Sequence, residues 1–597
     1  MRRIDKIKFK DYFTPWMIFA IVSIIICLPI LRNFGNWGGM DWDEVFFWQA
    51  VARETILKFH QFPLWNPYAQ PEGALVFIAY PNSPFLSPLF LVVLIFGPIY
   101  GTKLLIVLHF FIGLLGMFLL AKTLALDNAC SYLVAFVYML SSIFSLHIVE
   151  GHFEWLSMAF LPWLLLSFLR SLKKPIYILA GVFFLSLILL EGSVDVFAVT
   201  IIFLIIFFFL LILQRRSLIP VKNIFLIFMI TFFLCYIKLL PMLEYLSLYP
   251  RSVVSTEFTP LGLFSNILLN RRQADLYAQT KGIGVNEKIG IERSLSIDHG
   301  WHEYGAYIGI IPFILFLTGS IAHFRRFWPL WLSGFICFLL ALGNSRFLNL
   351  WIILRSLPFC AWLRVPSRFI LGFMISVALF AGLGLKNFRQ RLRQKTAFFT
   401  FVLLAIVIVD FLLINSQILK QAFTVAPMRN IARDEIFVQR QDFDSYIYKS
   451  GMRGGRYPAF LANAGVLKKV SNDIDSPRGA VHAVNSAEYR GEAYLINGKG
   501  EVSIAYFSPN KIILDVEAQQ KDILVLNQNY YKGWRMKGNQ ENSVSSHEGL
   551  ISAKVSPGKY KVTFYYLPNS FIIGSLITSL TLFLCLYYVI AELKRRS

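Results

Sequence analysis

Gly35-Asn-Trp-Gly-Gly-Met-Asp-Trp-Asp-Glu-Val45 follows directly on the first apolar run of the chain and leads into Gln61-Phe-Pro-Leu-Trp-Asn-Pro67. It sets three carboxylates, Asp41, Asp43 and Glu44, where a chain leaving a bilayer meets water. Acids at that depth are costly unless solvated, paired or used, so this stretch governs the reading of the rest as a membrane scaffold built around a site at one face. Asp41 and Glu44, three residues apart and just ahead of Val45-Phe-Phe-Trp48, fit a helix N-cap and its capping-box partner. Asp43 has no such duty beyond a favourable place near the helix dipole, which makes it the first candidate for chemistry.

The 597-residue chain is 56% hydrophobic and only 15% charged, well outside the composition of soluble globular domains, and reads as a polytopic α-helical membrane protein. Its formal charge of +22 comes from 57 Lys and Arg against 35 Asp and Glu, and the basic residues lie between apolar runs. Positive loops on the cytoplasmic side account for them, and nucleic acid is not expected as a partner. The six cysteines all lie in or beside apolar segments, so neither a disulfide framework nor a zinc site is indicated. Met1-Arg-Arg-Ile-Asp-Lys-Ile-Lys8 before the apolar run from Trp16 to Leu31 resembles a signal peptide but lacks a small-residue cleavage site, and is expected to be an uncleaved first span.

A crossing needs about 20 apolar residues, which picks out about twelve spans, near 14–32, 101–122, 129–147, 153–171, 175–191, 195–213, 222–240, 305–322, 327–343, 366–385, 396–415 and 569–591. With the N-terminus inside, Lys122, Arg170 to Lys174, Arg215-Arg216, Arg325-Arg326, Lys386 to Lys395 and Lys594 to Arg596 fall on the cytoplasmic side, and an even count returns the C-terminus there. That parity requires the proline-punctuated segment Pro84 to Pro98 to lie on the outer surface. The expected organisation is a transmembrane domain over 1–415, with outer loops at 33–100 and 241–304, an extracytoplasmic domain over 416–568, and a last helix with a basic tail over 569–597. In 416–568 the alternations Val502-x-Ile504-x-Tyr506, Ile512-x-Leu514-x-Val516 and Tyr560-x-Val562-x-Phe564-x-Tyr566, with turns at Ser508-Pro-Asn510 and Ser556-Pro-Gly558, predict a β-sandwich or half-barrel.

Two further groups face the same outer side. Lys238, Arg251, Arg364 and Arg368 are cations on the face that membrane topology keeps poor in them, and a lipid phosphate would explain them, with snorkelling to headgroups as the plainer alternative. His147, Glu150, His152 and Glu154 share one outer turn, and His299, His302 and Glu303 close the long loop; histidine with carboxylate can bind a divalent metal ion or a sugar, although no spacing here is diagnostic. Trp42, Trp48, Trp65, Trp155 and Trp301 can stack on sugars or form an aromatic belt. The chain contains no phosphate-binding Gly-Lys-Ser/Thr loop, no Gly-x-Ser-x-Gly elbow and no dinucleotide fingerprint, which disfavours a soluble nucleotide-sugar donor.

Asp43-Glu44, Gln61 to Pro67, Gly151-His-Phe-Glu-Trp155 to Pro162, Leu240-Pro-Met-Leu-Glu244 with Arg251, Glu303-Tyr-Gly-Ala-Tyr-Ile-Gly309, Arg364-Val-Pro-Ser-Arg-Phe369 and Asn529-Tyr-Tyr-Lys-Gly-Trp534 together resemble the bacterial YfhO-like membrane protein family. That family is similar to the GT-C class of glycosyltransferases, which take a sugar from a polyprenyl phosphate on the outer leaflet. The resemblance implies that Asp43 matches the catalytic acid of the class, that Pro84 to Pro98 matches its interfacial helix, and that Tyr530 to Trp534 belongs to the family's C-terminal β-domain. It also implies a partner enzyme that loads the polyprenyl phosphate. No second carboxylate has a secure match as a metal ligand.

The expectation is a GT-C-type inverting glycosyltransferase of the bacterial plasma membrane, its site facing outside. Asp43, with Asp41 and Glu44 beside it, takes the acceptor proton, and Lys238, Arg251, Arg364, Arg368, His152, Glu154, His302 and Glu303 bind substrate. The donor is a polyprenyl-phosphate sugar and the acceptor an envelope glycan, glycolipid or polymer. The alternatives are a lipid-linked saccharide flippase, for which Glu191 and Asp195 are the best residues, and a non-catalytic envelope scaffold.

Overall fold

The computed structural model describes residues 10–69, 75–250, 253, 255–280, 297–345, 348–358, 360–392, 396–442, 455–467, 477, 479–538 and 543–595. Among these, nine helices are long and apolar enough to cross a membrane, from Phe13–Arg32 to Asn569–Lys594. A tenth passage is the pair Ile219–Leu234 and Tyr236–Leu248, bent by 77° at Cys235, and Tyr177–Leu190 is a shorter apolar helix. The protein is thus a polytopic helical membrane protein with a β-rich C-terminal region.

One of the nine is folded back on itself. Ile310–Ala341 breaks its helical geometry at Phe327, and Phe316 and Phe338 both lie against Phe373, with ring centroids 5.9 and 5.2 Å away. On a straight helix those two residues would be about 33 Å apart, so the two halves form a hairpin against Ile370–Leu392. Gly319, which meets the Phe380 carbonyl, and Gly334, which meets Ser376, let the halves approach closely. The span expected at 305–322 begins only at Ile310, because Tyr304 to Gly309 is extended or turn. Within Pro84 to Pro98 a short helix begins at Phe90 and is broken from the long helix that runs on to Thr123 by Gly97, at φ +79°.

Contacts between distant loops sort the helix ends into two faces. On one, Lys386 donates to the Ala125 carbonyl at 3.2 Å, Arg389 pairs with Asp127, His323 meets Asn387 at 2.9 Å, and Gln214 donates to the Arg326 carbonyl at 2.9 Å. On the other, Asp41 donates its N–H to the Glu150 carbonyl at 3.0 Å, Trp37 bridges to Val425, and Arg368 joins Asp195 to Glu303. The second face carries the acids and histidines singled out in the sequence.

The β-rich region holds two antiparallel four-stranded sheets. One runs in the order Gly500–Ser508, Lys511–Ala518, Gly558–Tyr566, Trp534–Lys537; the other runs Ala493–Leu495, Asp522–Asn529, Leu550–Val555, Ser545–His547. Ile512, Leu514, Val516, Val562, Phe564 and Tyr566 are all buried, as the period-two reading requires. Their neighbours Asp515 and Glu517 form cross-strand ion pairs with Lys561 and Lys559 on the outer face.

This region is tied to the loop around residues 61–65 by a dense set of bonds. Asn510 accepts the N–H of Leu64 and Trp65 and donates to the Phe62 carbonyl, while Gln61 bonds Ser508 and the Asn510 N–H. Trp65 sits edge-on to Trp534 at 5.2 Å and donates to Gln528 at 3.0 Å. Lys532 pairs with Glu244 at 2.6 Å, which fixes the second helix of the bent pair to the β-rich region. Two motifs that carry the family resemblance, at 61–67 and 529–534, therefore meet as one interlock.

Candidate active site

The site begins where the helix Ser142–Glu150 ends. Gly151 closes it in the left-handed conformation, φ +101°, and a Cβ there would lie 2.5 Å from the Trp42 nitrogen and 2.8 Å from the Asp41 carbonyl carbon. Only glycine lets the 150–152 turn rest directly on the start of the helix Trp42–Leu57. The Trp42 indole donates to the Ile148 carbonyl at 2.8 Å and locks this contact.

The approach brings Asp41 to His152, carboxylate oxygen to Nε2, at 3.5 Å. Asp41 stands at the N-cap position of its helix, yet its side chain makes no capping bond, so the expected capping box is not formed. Instead the side chain is 44% exposed at the rim of the cluster. Glu44, half-buried, is in the first turn of the same helix.

A short turn, Trp301–Glu303, delivers His302 and Glu303 from the far end of the long loop. Trp301, fully buried, anchors the turn through bonds to Gln273 and Thr280, each 2.8 Å. The ligating atoms of His152, His302 and Glu303 lie within 4.8 Å of one another. His302 Nδ1 is 3.5 Å from Glu150, which also accepts from the Tyr277 hydroxyl at 2.9 Å. Behind them His147 bonds His152 at 2.9 Å and stacks on Trp155, ring centroids 3.7 Å apart.

Arg368, from the turn Pro366–Phe369, grips Glu303 with two bonds of 2.9 and 2.5 Å and reaches Asp195 at 2.5 Å. Burial would raise the Glu303 carboxyl, but the guanidinium outweighs it and holds the group well below the usual carboxylate range. His152 is likewise pulled down by burial and then raised to about 9 by Asp41, Glu154 and Glu303. His302 is pushed down to about 3 by burial and by the neighbouring His152 charge, so it is a neutral imidazole. Burial raises Glu257, 3.4 Å from His299, to about 8, with Glu303 and Asp298 adding repulsion.

Two imidazoles and a carboxylate, with Asp41 at the rim, form a donor set for a divalent transition metal. His302, held neutral by burial and by the His152 charge, is in the form in which an imidazole ligates. Arg368 has to share Glu303 with any such ion.

Other expected residues are placed elsewhere. Asp43 is fully buried and away from the cluster's bonds, because its carboxylate accepts the N–H of Arg456 at 2.8 Å and Tyr457 at 3.1 Å. It caps the helix Arg456–Leu461, and its own group is raised to about 6 by burial, partly offset by those bonds. Lys238 is buried with its ammonium on the carbonyls of Ser83 and Leu189, at 2.9 and 3.3 Å, so it is not presented to a phosphate. Arg364 is half-buried just ahead of Arg368; Glu154, beside His152 in the chain, accepts from Ser193 at its carbonyl; Arg251 lies outside the described residues. Glu191 and Asp195, the residues favouring a flippase, are engaged by His109 at 3.1 Å and by Arg368. Gly151, Tyr277 and Glu257 were not expected; the Glu-Gly-His order at 150–152 is the one local sign that the turn must pack tightly.

Residues 482–578 match the family model described as bacterial membrane protein YfhO, so the YfhO-like character read from the sequence holds over the sheets and the start of the last helix. No curated protein matches the chain. Among solved structures the fold is similar to the archaeal oligosaccharyltransferase AglB from Archaeoglobus fulgidus, in complex with an inhibitory peptide and a dolichol-phosphate, at 14% identity and a TM-score of 0.44. The alignment covers 77% of this chain and 65% of that one.

Proposed function

We propose that this chain is a membrane glycosyltransferase that moves a sugar from a polyprenyl-phosphate donor to an envelope acceptor at the outer face of the bacterial plasma membrane, with both termini cytoplasmic. The observation that carries the reading is the convergence of Asp41, His152, His302, Glu303 and Arg368, from four separate stretches of chain, at the membrane face. The YfhO match supports it over the C-terminal region.

Asp41, at the rim 3.5 Å from His152, accepts the proton of the acceptor hydroxyl. The freed oxygen attacks the anomeric carbon from the side opposite the phosphate, the bond to the phosphate oxygen breaks, and polyprenyl phosphate leaves with the electron pair. Arg364 holds that phosphate, and Arg368 keeps Glu303 ionised and oriented. His152, His302 and Glu303 would hold a divalent ion, which when bound neutralises charge on the donor phosphate.

The test compares envelope glycans and polyprenyl-linked sugars by mass spectrometry in a deletion strain complemented with wild type or with Asp41→Asn at matched protein levels. Loss of one sugar decoration with its lipid donor retained supports transfer through Asp41. A wild-type glycan profile in the Asp41→Asn strain would falsify it.

A further inference from the structure

A groove of about 570 Å³ lies between the start of Ile310–Ala341 and the span Ala397–Leu419. Ile310, Ile311, Pro312, Ile406, Val409 and Leu413 supply its apolar walls. Both helices are mostly uncovered by protein, so the groove opens to the membrane.

Its floor is not apolar. Asp410, a carboxylate inside a span, receives the Tyr307 hydroxyl at 2.6 Å and pairs with Arg271 at 2.8 Å. An ionisable group at membrane depth is kept for a reason, and here it orients an arginine at the mouth of a lipid-facing channel. Arg271 is 62% exposed, its five N–H donors exceed what Asp410 and Tyr307 use, and the exposed Arg272 lies next to it.

The groove is joined to the site by five residues. Glu303 is held by Arg368, and Tyr307, four residues on, is held through Asp410 by Arg271. Cations therefore stand at both ends of the 303–307 segment. On the reading above, the Arg364 and Arg368 end belongs to the donor phosphate, which leaves the Arg271 end for the second substrate.

We infer that the acceptor is itself a membrane lipid with a phosphate and a free hydroxyl in its headgroup, seated with a chain in this groove and its phosphate on Arg271. This rests on the transferase reading for the word acceptor, but the lipid site stands on the groove alone.

The experiment uses the full chain in nanodiscs and measures retained lipid by native mass spectrometry, with phosphatidylglycerol and polyprenyl phosphate as separate probes, alongside sugar transfer. The variants are Arg271→Gln and Ile406→Trp, both at exposed positions, with Arg271→Lys as the conservative control that keeps a cation for Asp410 and a detergent melt of each variant to verify the fold. The expected result is at least tenfold weaker phosphatidylglycerol retention in the first two, partial recovery in the Lys variant and unchanged polyprenyl phosphate binding. Unchanged phosphatidylglycerol retention overturns the proposal, and so does loss of polyprenyl phosphate retention instead, which would make the groove the donor's. Lost phosphatidylglycerol retention in a protein that transfers no sugar in any membrane keeps the lipid site and sinks the transferase reading.

Discussion

The Asp43 carboxylate caps a helix whose first residue, Arg456, is 413 positions away in the chain. One acid of the Asp-Trp-Asp pair is thus turned inward to hold a distant segment, while its neighbour but one, Asp41, faces His152 at the rim. The division of labour has direct consequences for mutation.

Replacing Asp43 with Ala strands two backbone donors in a buried setting, at a cost of about 1–3 kcal/mol. Its folded-state group is raised to about 6 from 3.8, so the folded chain binds the proton more tightly than the unfolded one, and the contribution to stability present below pH 3.8 is lost as pH rises through 6. Asp43→Asn keeps an acceptor and removes this dependence. Thermal melts of the purified protein from pH 4 to 7 should therefore show a flatter profile for Asp43→Asn than for wild type.

Asp41→Asn should behave in the opposite way. Its side chain is partly exposed and makes no cap, so melting should stay near wild type, whereas transfer should fall about 10²–10⁴-fold, as for loss of a positioned base. Turnover with a defined lipid-linked donor, normalised to folded protein, checks this.

Gly151→Ala should lose both fold and activity. A side chain there meets Trp42 and Asp41 backbone and needs a left-handed conformation as well, which together cost about 2 kcal/mol or more. Expression level and detergent melting temperature read the outcome; a melt matching wild type would mean that the 150–152 turn does not rest on Asp41.

Metal analysis of protein purified without chelator should find a divalent transition metal in wild type and lose it in His302→Ala and Glu303→Gln. Binding must displace the proton of His152, raised to about 9, so affinity should fall as pH drops below 9, up to about tenfold per unit. Affinity that is flat between pH 7 and 9 would remove His152 from the ligand set.

The membrane class and the alternation in the sheets were legible because each depends on local composition or period. The roles of Asp41 and Asp43 were not. Asp41 has the spacing of a cap and Asp43 looks spare, yet the helix that Asp43 serves starts at Arg456 and no local pattern announces it. Lys238 shows the same limit: a lysine near a span end reads as a phosphate ligand until its ammonium is seen on the Ser83 and Leu189 carbonyls. The break at Phe327 falls beside Arg325-Arg326, a polar pair between two apolar runs that is visible in the sequence.

The bonds from Asn510 to Leu64 and Trp65 join residues separated by 446 and 445 positions. At about 5–20 residues per second, a ribosome needs roughly 20–90 s between making Trp65 and making its partner. During that interval the stretch from Gln61 to Trp65 stands without the sheet that covers it. Biogenesis of this protein is therefore end-loaded: a chain halted before the sheets are made inserts its early helices with a large unmet aromatic surface, and is a natural target for membrane quality control.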